Sequence, residues 1–352
     1  MNTLTQNEML IVSKYFNDID DYINVIKCCK EYNEILNLLN FNPIPLNEYN
    51  YKYFENIQTL HLYSSHDFEI LNVPKIIWYN VNYNIYNTNK TNTYKNIIMT
   101  QNDIIKYNNN ILNKNINITK ISYDCFCYIE LKELIIPNSV TKIGKDCFKI
   151  CTNLTKLELS TNLKEIGEWC FKRINLNELV IPNSVIKIGE YCFNECNNLT
   201  RLELSTNLKE IEDNCFENVN CLKELIMPNS ITKINKYCYK GCHDLIRLEL
   251  STNLKEISKW CFDNINDLKE LVLPDSIIKI GNDCFNNCSN LTKIEISTNL
   301  EEINEYCFNY CDNLKELIIP NNITKIADNC FKDCYNLTKI KLSTNLKEID
   351  EK

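Results

Sequence analysis

From Leu131 onward the apolar positions fall into ten consecutive segments that share one pattern, L-x-x-L-x-[IL]-[PS]-x-x-[VIL]-x-x-I-x-x-x-C-[FY], at a step of almost always 23 residues. The place after the apolar pair alternates. Pro137, Pro182, Pro228, Pro274 and Pro320 hold it in every second segment, and Ser160, Ser205, Ser251, Ser297 and Ser343 hold it in the others. A fixed period of this length predicts a solenoid, each unit one supersecondary piece stacked on its neighbour.

Within a unit the spacing changes character. Leu134 and Ile136 are two apart, as in a strand, and Pro137 ends that strand because proline cannot donate to a ladder. Asn138 and Ser139 then make a turn. Ile143, Cys147 and Cys151 are spaced by four, which predicts a short helical or 3₁₀ stretch. Leu131, Leu134, Ile136, Val140, Ile143, Cys147, Phe148 and Cys151 are expected to point inward. About nine inward side chains per unit, at ~2 kcal/mol each, do not offset the ordering of a unit at about 1.5 kcal/mol per residue. A rung is therefore stable only between other rungs. One residue is missing near Asn175, and a partial rung (Ile118, Ile121, Cys125, Phe126) precedes the array.

The first hundred residues differ. Residues 7–40 have helical periodicity, stopped by Phe41-Asn42-Pro43-Ile44-Pro45. Leu60-His61-Leu62-Tyr63 and Ile76-Ile77-Trp78-Tyr79 read as strands, and residues 82–115 as an Asn-rich loop or an imperfect rung. The expected architecture is an α/β repeat solenoid of 23-residue units with parallel strands on one face. Residues 1–55 form a small helical cap on its first rung, 56–115 a transition, and 116–352 the solenoid. The last residues stop mid-rung without a cap, so fraying, a partner or self-association is expected at that edge.

Composition narrows the function. Net charge is -8, and Lys and Glu are interspersed, so no basic stripe for nucleic acid exists. The N-terminus has neither the basic nor the apolar region of a signal peptide, and no run of 18 apolar residues occurs. These signals predict a cytoplasmic chain without membrane insertion. No nucleophile–base pair or phosphate-cradling loop appears, and the chain has five glycines in all. No enzyme activity and no cofactor are expected.

Of the 20 cysteines, ten occupy one rung position, from Cys125 and Cys147 to Cys330. A second column holds Cys151, Cys196, Cys242, Cys288, Cys311 and Cys334, with Ile174, Val219 and Ile265 at the same place in other rungs. Exchange with Ile and Val marks apolar packing. The C-x-x-x-C spacing is not that of a zinc ribbon, and His61, His66 and His243 are not placed to complete a metal site. Disulfides between rungs are the competing reading, since stacked rungs bring equivalent thiols about 5 Å apart.

The strand face is patterned outward as well. One column reads Glu133, Lys156, Glu178, Arg201, Glu224, Arg247, Glu270, Lys293, Glu316, Lys339, alternating in sign at every rung. The other reads Ile135, Glu158, Val180, Glu203, Ile226, Glu249, Val272, Glu295, Ile318, Lys341. The first is a structural ladder in which each charge sits between two opposite ones. The second is either ordinary strand propensity or a protein-binding strip of apolar knobs between carboxylates, of which Ile135 to Ile318 are the candidate contacts. Trp169, Tyr191, Tyr237, Trp260 and Tyr306 precede the core cysteine and are expected to pack along the rung flank. Asn153-Leu154-Thr155 and three equivalents match a glycosylation sequon, but recur because the repeat recurs.

The units resemble the BspA-like leucine-rich repeat family. Ile136-Pro137-Asn138-Ser139 matches its IPxS turn, Ile143-Gly144 with Phe148 its IGxxxF segment, and Cys151 the Cys before the next Leu. Where that family often has Ala before the Phe, this chain has Cys147. Val12-Ser13-Lys14-Tyr15-Phe16, Phe41-Asn42-Pro43-Ile44 and Leu60-His61-Leu62-Tyr63 are similar to words in amoebic members. The resemblance implies a non-enzymatic interaction protein, surface-associated in adhesion or attachment, with a protein ligand. A shorter resemblance is to the F-box, at Glu8-Met9-Leu10-Ile11, Ile19-Asp20-Asp21-Tyr22 and Lys27-Cys28-Cys29-Lys30-Glu31-Tyr32, with Leu4-Thr5 where an F-box opens Leu-Pro. It implies an intracellular adaptor that presents a substrate to a ubiquitin ligase.

Overall fold

The computed structural model describes residues 4–29, 32–107 and 117–350. Two compact units are present, 1–99 with 117–119, and 100–116 with 120–352.

In the first unit the helical periodicity yields two short helices. Helix α1 (Gln6–Ser13) begins at a Thr5 capping box closed by Glu8, and α2 (Ile19–Cys28) begins at the Asp18 side chain. Residues 33–38 are turns rather than helix, so the expected helix over 7–40 is shorter than its periodicity suggests. Lys30 and Glu31, from the F-box-like words, lie outside the described residues. Strand β1 (Leu60–Leu62) pairs in parallel with β2 (Lys75–Asn82), and β2 with β3 (Thr93–Met99). The Asn-rich segment thus holds a third strand, after helix α3 (Tyr83–Thr88); residues 108–116 of it lie outside the described set.

The second unit is the solenoid. Helix α4 (Gln101–Tyr107) lies at the partial rung, where Gln101 Nε2 donates to Cys127 O. From there each turn of the coil is built the same way. A three-residue strand such as Glu133–Ile135 is followed by the Pro or Ser turn, a two-residue strand such as Lys142–Ile143, and a turn side over the core Cys-Phe. Strands therefore line two sides of the coil, where the repeat spacing predicted one. Leu134 stacks on Leu157 and Leu179 on Leu202 in parallel register, all buried. Core rings run unbroken from Phe126 to Phe331, successive centroids 5.0–5.6 Å apart, with Tyr239 in the column.

The predicted helical stretch is absent, and the reason is local. Asp146 and Ile150 both have positive φ, as do Trp169 and Arg173, Tyr191 and Glu195, and their equivalents in later rungs. Two left-handed residues four apart are incompatible with a helix, yet they still turn Cys147 and Cys151 inward. Holding bulky residues there costs about 1 kcal/mol or more each. Hydrogen bonds offset that cost: Asp146, Phe148 and Ile150 N–H donate to Glu168, Cys170 and Lys172 carbonyls of the next rung at 2.8–2.9 Å, and the ladder continues rung after rung.

The last described rung shows what a neighbour contributes. Ile340, at the position of buried Leu317, is 44% exposed, and Ile349, at the position of buried Ile326, is 60% exposed.

A candidate protein-binding face

The first strand of every rung has its central residue buried and the two flanking residues exposed, as at Glu133–Ile135, except in the last described rung. This pleat carries both outward columns to one face. Ile135, Val180, Ile226, Val272 and Ile318 are 55–63% exposed. Glu158, Glu203, Glu249 and Glu295 are exposed between them. The structure thus brings the nine candidate contacts together in one line.

Pairing on this face is not continuous. Glu133–Ile135 pairs with Lys156–Glu158, Glu178–Val180 with Arg201–Glu203, and so on to Glu316–Ile318 with Lys339–Lys341. Every sheet here has two strands, a Pro rung followed by a Ser rung. A proline at the end of each Pro strand has no N–H to offer, which suits an edge strand. The turns repeat the division. Ser160 Oγ donates to Val140 O of the preceding Pro rung at 2.6 Å and accepts from Asn162 N–H, while Asn162 Nδ2 donates to Asn138 O and Thr161 N–H to Asn138 Oδ1. The same clamp closes at Ser205 on Val185 and at Ser297 on Ile277. Across the joint between pairs Ser276 Oγ also reaches back, to Leu254 O, whereas the buried Ser139, Ser184 and Ser230 hydroxyls have no partner among the described residues.

The charge ladder follows the pairs. Arg201 lies 3.7 Å from Glu178, Arg247 3.7 Å from Glu224 and Lys339 2.8 Å from Glu316, each within a pair. Lys156 and Lys293 turn along their own strands to Glu158 and Glu295, at 3.0 and 2.7 Å. The expectation of a cation shared between two neighbouring rungs is corrected accordingly: it serves one rung pair. Between pairs the face opens into grooves. One, of about 760 Å³, has Leu157, Leu159, Leu179, Val180 and Pro182 among its lining. Another lies beside Leu202, Leu204 and Ile226.

A second alternating column, Lys142, Glu165, Lys187, Glu210 and onward, lies on the two-residue strands and was not singled out in the sequence, although K-I/E-I alternation is legible there. Its strands pair from rung to rung except at two steps, after Lys187–Ile188 and after Lys279–Ile280. Gly189 and Gly281 sit at those strand ends, followed one rung later by Glu212 and Asn304. A Cβ on Gly189 would lie 2.5 Å from Glu168 N of the preceding rung, so close approach there needs glycine. Asn304 meets the step with its side chain: Nδ2 donates to Ile280 O. Burial first, then Glu210, raises the carboxyl pKa of Glu212.

On the turn side Trp169 stacks on Tyr191 at 4.0 Å with Lys172 above it at 4.5 Å, and Tyr237 lies 6.2 Å from Trp260 with Lys240 over both. Their ring faces are used in packing, as expected. The cysteines are unpaired thiols, mostly buried. Those of the second column donate to a carbonyl of the preceding rung, Cys151 to Phe126 O at 3.0 Å and Cys196 to Phe171 O at 3.1 Å. Burial pushes the Cys151 and Cys196 thiols up to about 12, so they resist thiolate chemistry. Among the described residues no group of three or more His, Cys, Asp or Glu could hold a metal ion, and no helix is long and apolar enough to cross a membrane.

Comparison with known proteins places these features. The family model described as "BspA type Leucine rich repeat region" matches residues 119–246 and 232–352. No curated protein matches the chain. Among solved structures, a leucine-rich repeat protein of Bacteroides ovatus is 20% identical, covering 66% of this chain and 78% of its own, at a TM-score of 0.46. One from Eubacterium ventriosum is 15% identical, covering 85% and 83%, at 0.45. A leucine-rich cell surface protein of Faecalibacterium prausnitzii is 23% identical, covering 66% and 83%, at 0.39.

Proposed function

Because the chain belongs to the BspA-type leucine-rich repeat proteins, we propose that it is a protein-binding solenoid without catalytic chemistry, serving attachment at a cell surface, with the first strand face as its contact. The observation that supports the face is the line of exposed aliphatic residues from Ile135 to Ile318, interleaved with Glu158, Glu203, Glu249 and Glu295. Exposed apolar residues set among charges along one face combine contact area with polar specificity, as a partner site requires. The test is Ile226→Glu with Val272→Glu, assayed against a protein ligand recovered by pull-down. Affinity should fall at least tenfold, and unchanged affinity would remove this face. Labelling of intact against permeabilised cells tests the surface location.

An intracellular adaptor is the competing reading. Helices α1 and α2 lie where the F-box-like words stand, and co-purification with a Skp-type partner is its test.

A further inference from the structure

We propose that the first face docks an amphipathic α-helix laid along the coil axis, apolar at every seventh residue and carrying Lys or Arg three or four residues after each apolar one. The inference rests on the binding face above and names the partner's chemistry. It starts from the two-rung period. Apolar knobs occur only in Pro rungs, at Ile135, Val180, Ile226, Val272 and Ile318, and the grooves between rung pairs recur with the same period. Successive core rings are 5.0–5.6 Å apart, so two rungs rise by roughly 10–11 Å, about twice the spacing of paired strands.

Few peptide conformations share that repeat. Seven residues of α-helix rise about 10.5 Å. Three residues of polyproline II rise about 9.3 Å, which over the four steps from Ile135 to Ile318 falls about 5 Å behind. An extended strand repeats a face at about 6.6 or 13 Å and misses. The helix matches the rise along the whole strip, and a slight supercoil that cancels its drift of about 20° per heptad keeps the apolar row facing the knobs.

Charge points the same way. Midway between knobs stand Glu158, Glu203, Glu249 and Glu295. In the pair formed by Glu178, Arg201 and Glu203, two carboxylates share one cation, leaving one negative charge. The pairs of Lys156, Arg247 and Lys293 repeat that composition. Residues i+3 and i+4 of a helix lie on the same side as i and i+7 and about 5 Å further along. A cation there meets the surplus negative charge of the pair, beside Glu158, Glu203, Glu249 or Glu295, each of which shares the cation of its own strand, while the apolar residues meet the knobs and grooves.

The experiment uses the full chain and synthetic helices of about five heptads. The first peptide has Leu every seventh residue with Lys midway. The second has the same composition with Leu every eighth, the third has Glu for Lys, and the fourth is a Pro-x-x-Pro repeat. Calorimetric titration should show the first binding at least tenfold tighter than each of the others. Ile226→Glu with Val272→Glu should weaken it at least tenfold, whereas Ile186→Glu with Ile278→Glu, exposed on the coil's other strand side, should leave it unchanged. Equal binding of the eighth-residue peptide, tighter binding of the polyproline repeat, or no binding of the first peptide overturns the inference. Were a pulled-down ligand still lost on Ile226→Glu while the first peptide fails, the binding face would stand and the helix would fall. Sedimentation of the chain alone tests the rival occupant: a dimer abolished by Ile226→Glu would assign this face to a second copy and sink the proposal.

Discussion

The turn side and the first strand face are made by the same rungs, yet they join those rungs differently. On the turn side the backbone ladder through Phe148, Phe171 and Phe193 N–H closes at each step, each to a cysteine carbonyl one rung on. On the first face the strands close two by two. The side chains at the joints explain the contrast. Small thiols and stacked rings fill every turn alike, so every step is equivalent. On the first face Pro and Ser alternate; the Ser turns at Ser160, Ser205 and Ser297 clamp backward onto the Pro rung, whereas of the Pro turns Ser276 reaches back and the Ser139, Ser184 and Ser230 hydroxyls find no partner among the described residues. A solenoid locked on one side and divided on another has a stable spine and a surface with a coarser period than its sequence repeat. The two-residue strand side is intermediate, continuous except at two steps.

The largest expected effect breaks a continuous joint. Gly167→Ala on the two-residue strand side puts a Cβ 2.5 Å from Gly144 C and Lys145 N, where Gly167 N–H now donates to Ile143 O at 2.9 Å. Overpacking against backbone leaves no flexible atom to move, so about 3 kcal/mol of stability should be lost. Glu212→Ala, at a step already open, should change stability by less than ~0.5 kcal/mol. Denaturant unfolding of the two variants measures the difference, and equal losses would mean the open steps are not open in solution.

Much of this was legible in the residues. The 23-residue period, the buried Leu134 and Phe148 columns, the packed thiols and the exposed line from Ile135 to Ile318 follow from spacing alone, because burial in a stack is repeated at every turn. The turn side was misread because Ile143, Cys147 and Cys151 have helical spacing. Left-handed Asp146 and Ile150 achieve the same inward set, and no spacing rule separates the two. The division into rung pairs was visible as Pro137 against Ser160, but its meaning lies in a hydrogen bond between turns that sequence does not show. The short helices at α1 and α2 differ from the longer predicted one for the usual reason that apolar periodicity continues through turns packed on the same core.

A smaller effect tests the clamp itself. Ser205→Ala removes a buried donor to Val185 O and an acceptor for Asn207 N–H, so about 2 kcal/mol should be lost. Ser184→Ala, in a Pro rung, removes a buried hydroxyl that has no partner among the described residues and should leave stability unchanged or raise it by up to ~1 kcal/mol. A loss at Ser205 with none at Ser184, in the turns of two adjacent rungs, would confirm that adjacent joints differ; like losses would not. Smaller again is Glu212→Gly, which removes the Cβ at an open step of the two-residue strand side. Restoring one backbone bond gains about 1 kcal/mol, partly cancelled by the backbone freedom of glycine at about 0.5 kcal/mol or more. Slowed amide exchange at residue 212 is the more sensitive readout.

The smallest effect discriminates best between a divided face and a continuous one. Arg201 has a carboxylate in the neighbouring rung on each side, Glu178 within its pair and Glu224 across the groove. A continuous ladder would couple it to both. In the structure it lies 3.7 Å from Glu178 and also bonds Glu203 on its own strand. Double-mutant cycles should therefore give a coupling of about 0.5 kcal/mol for Arg201 with Glu178 and near zero with Glu224. All three side chains are exposed, so raising ionic strength to about 1 M, where screening acts within about 3 Å, should erase the first coupling and leave the second as it was. Equal couplings to Glu178 and Glu224 would mean that the first face closes up in solution, and the two-rung period of its binding surface would go with it.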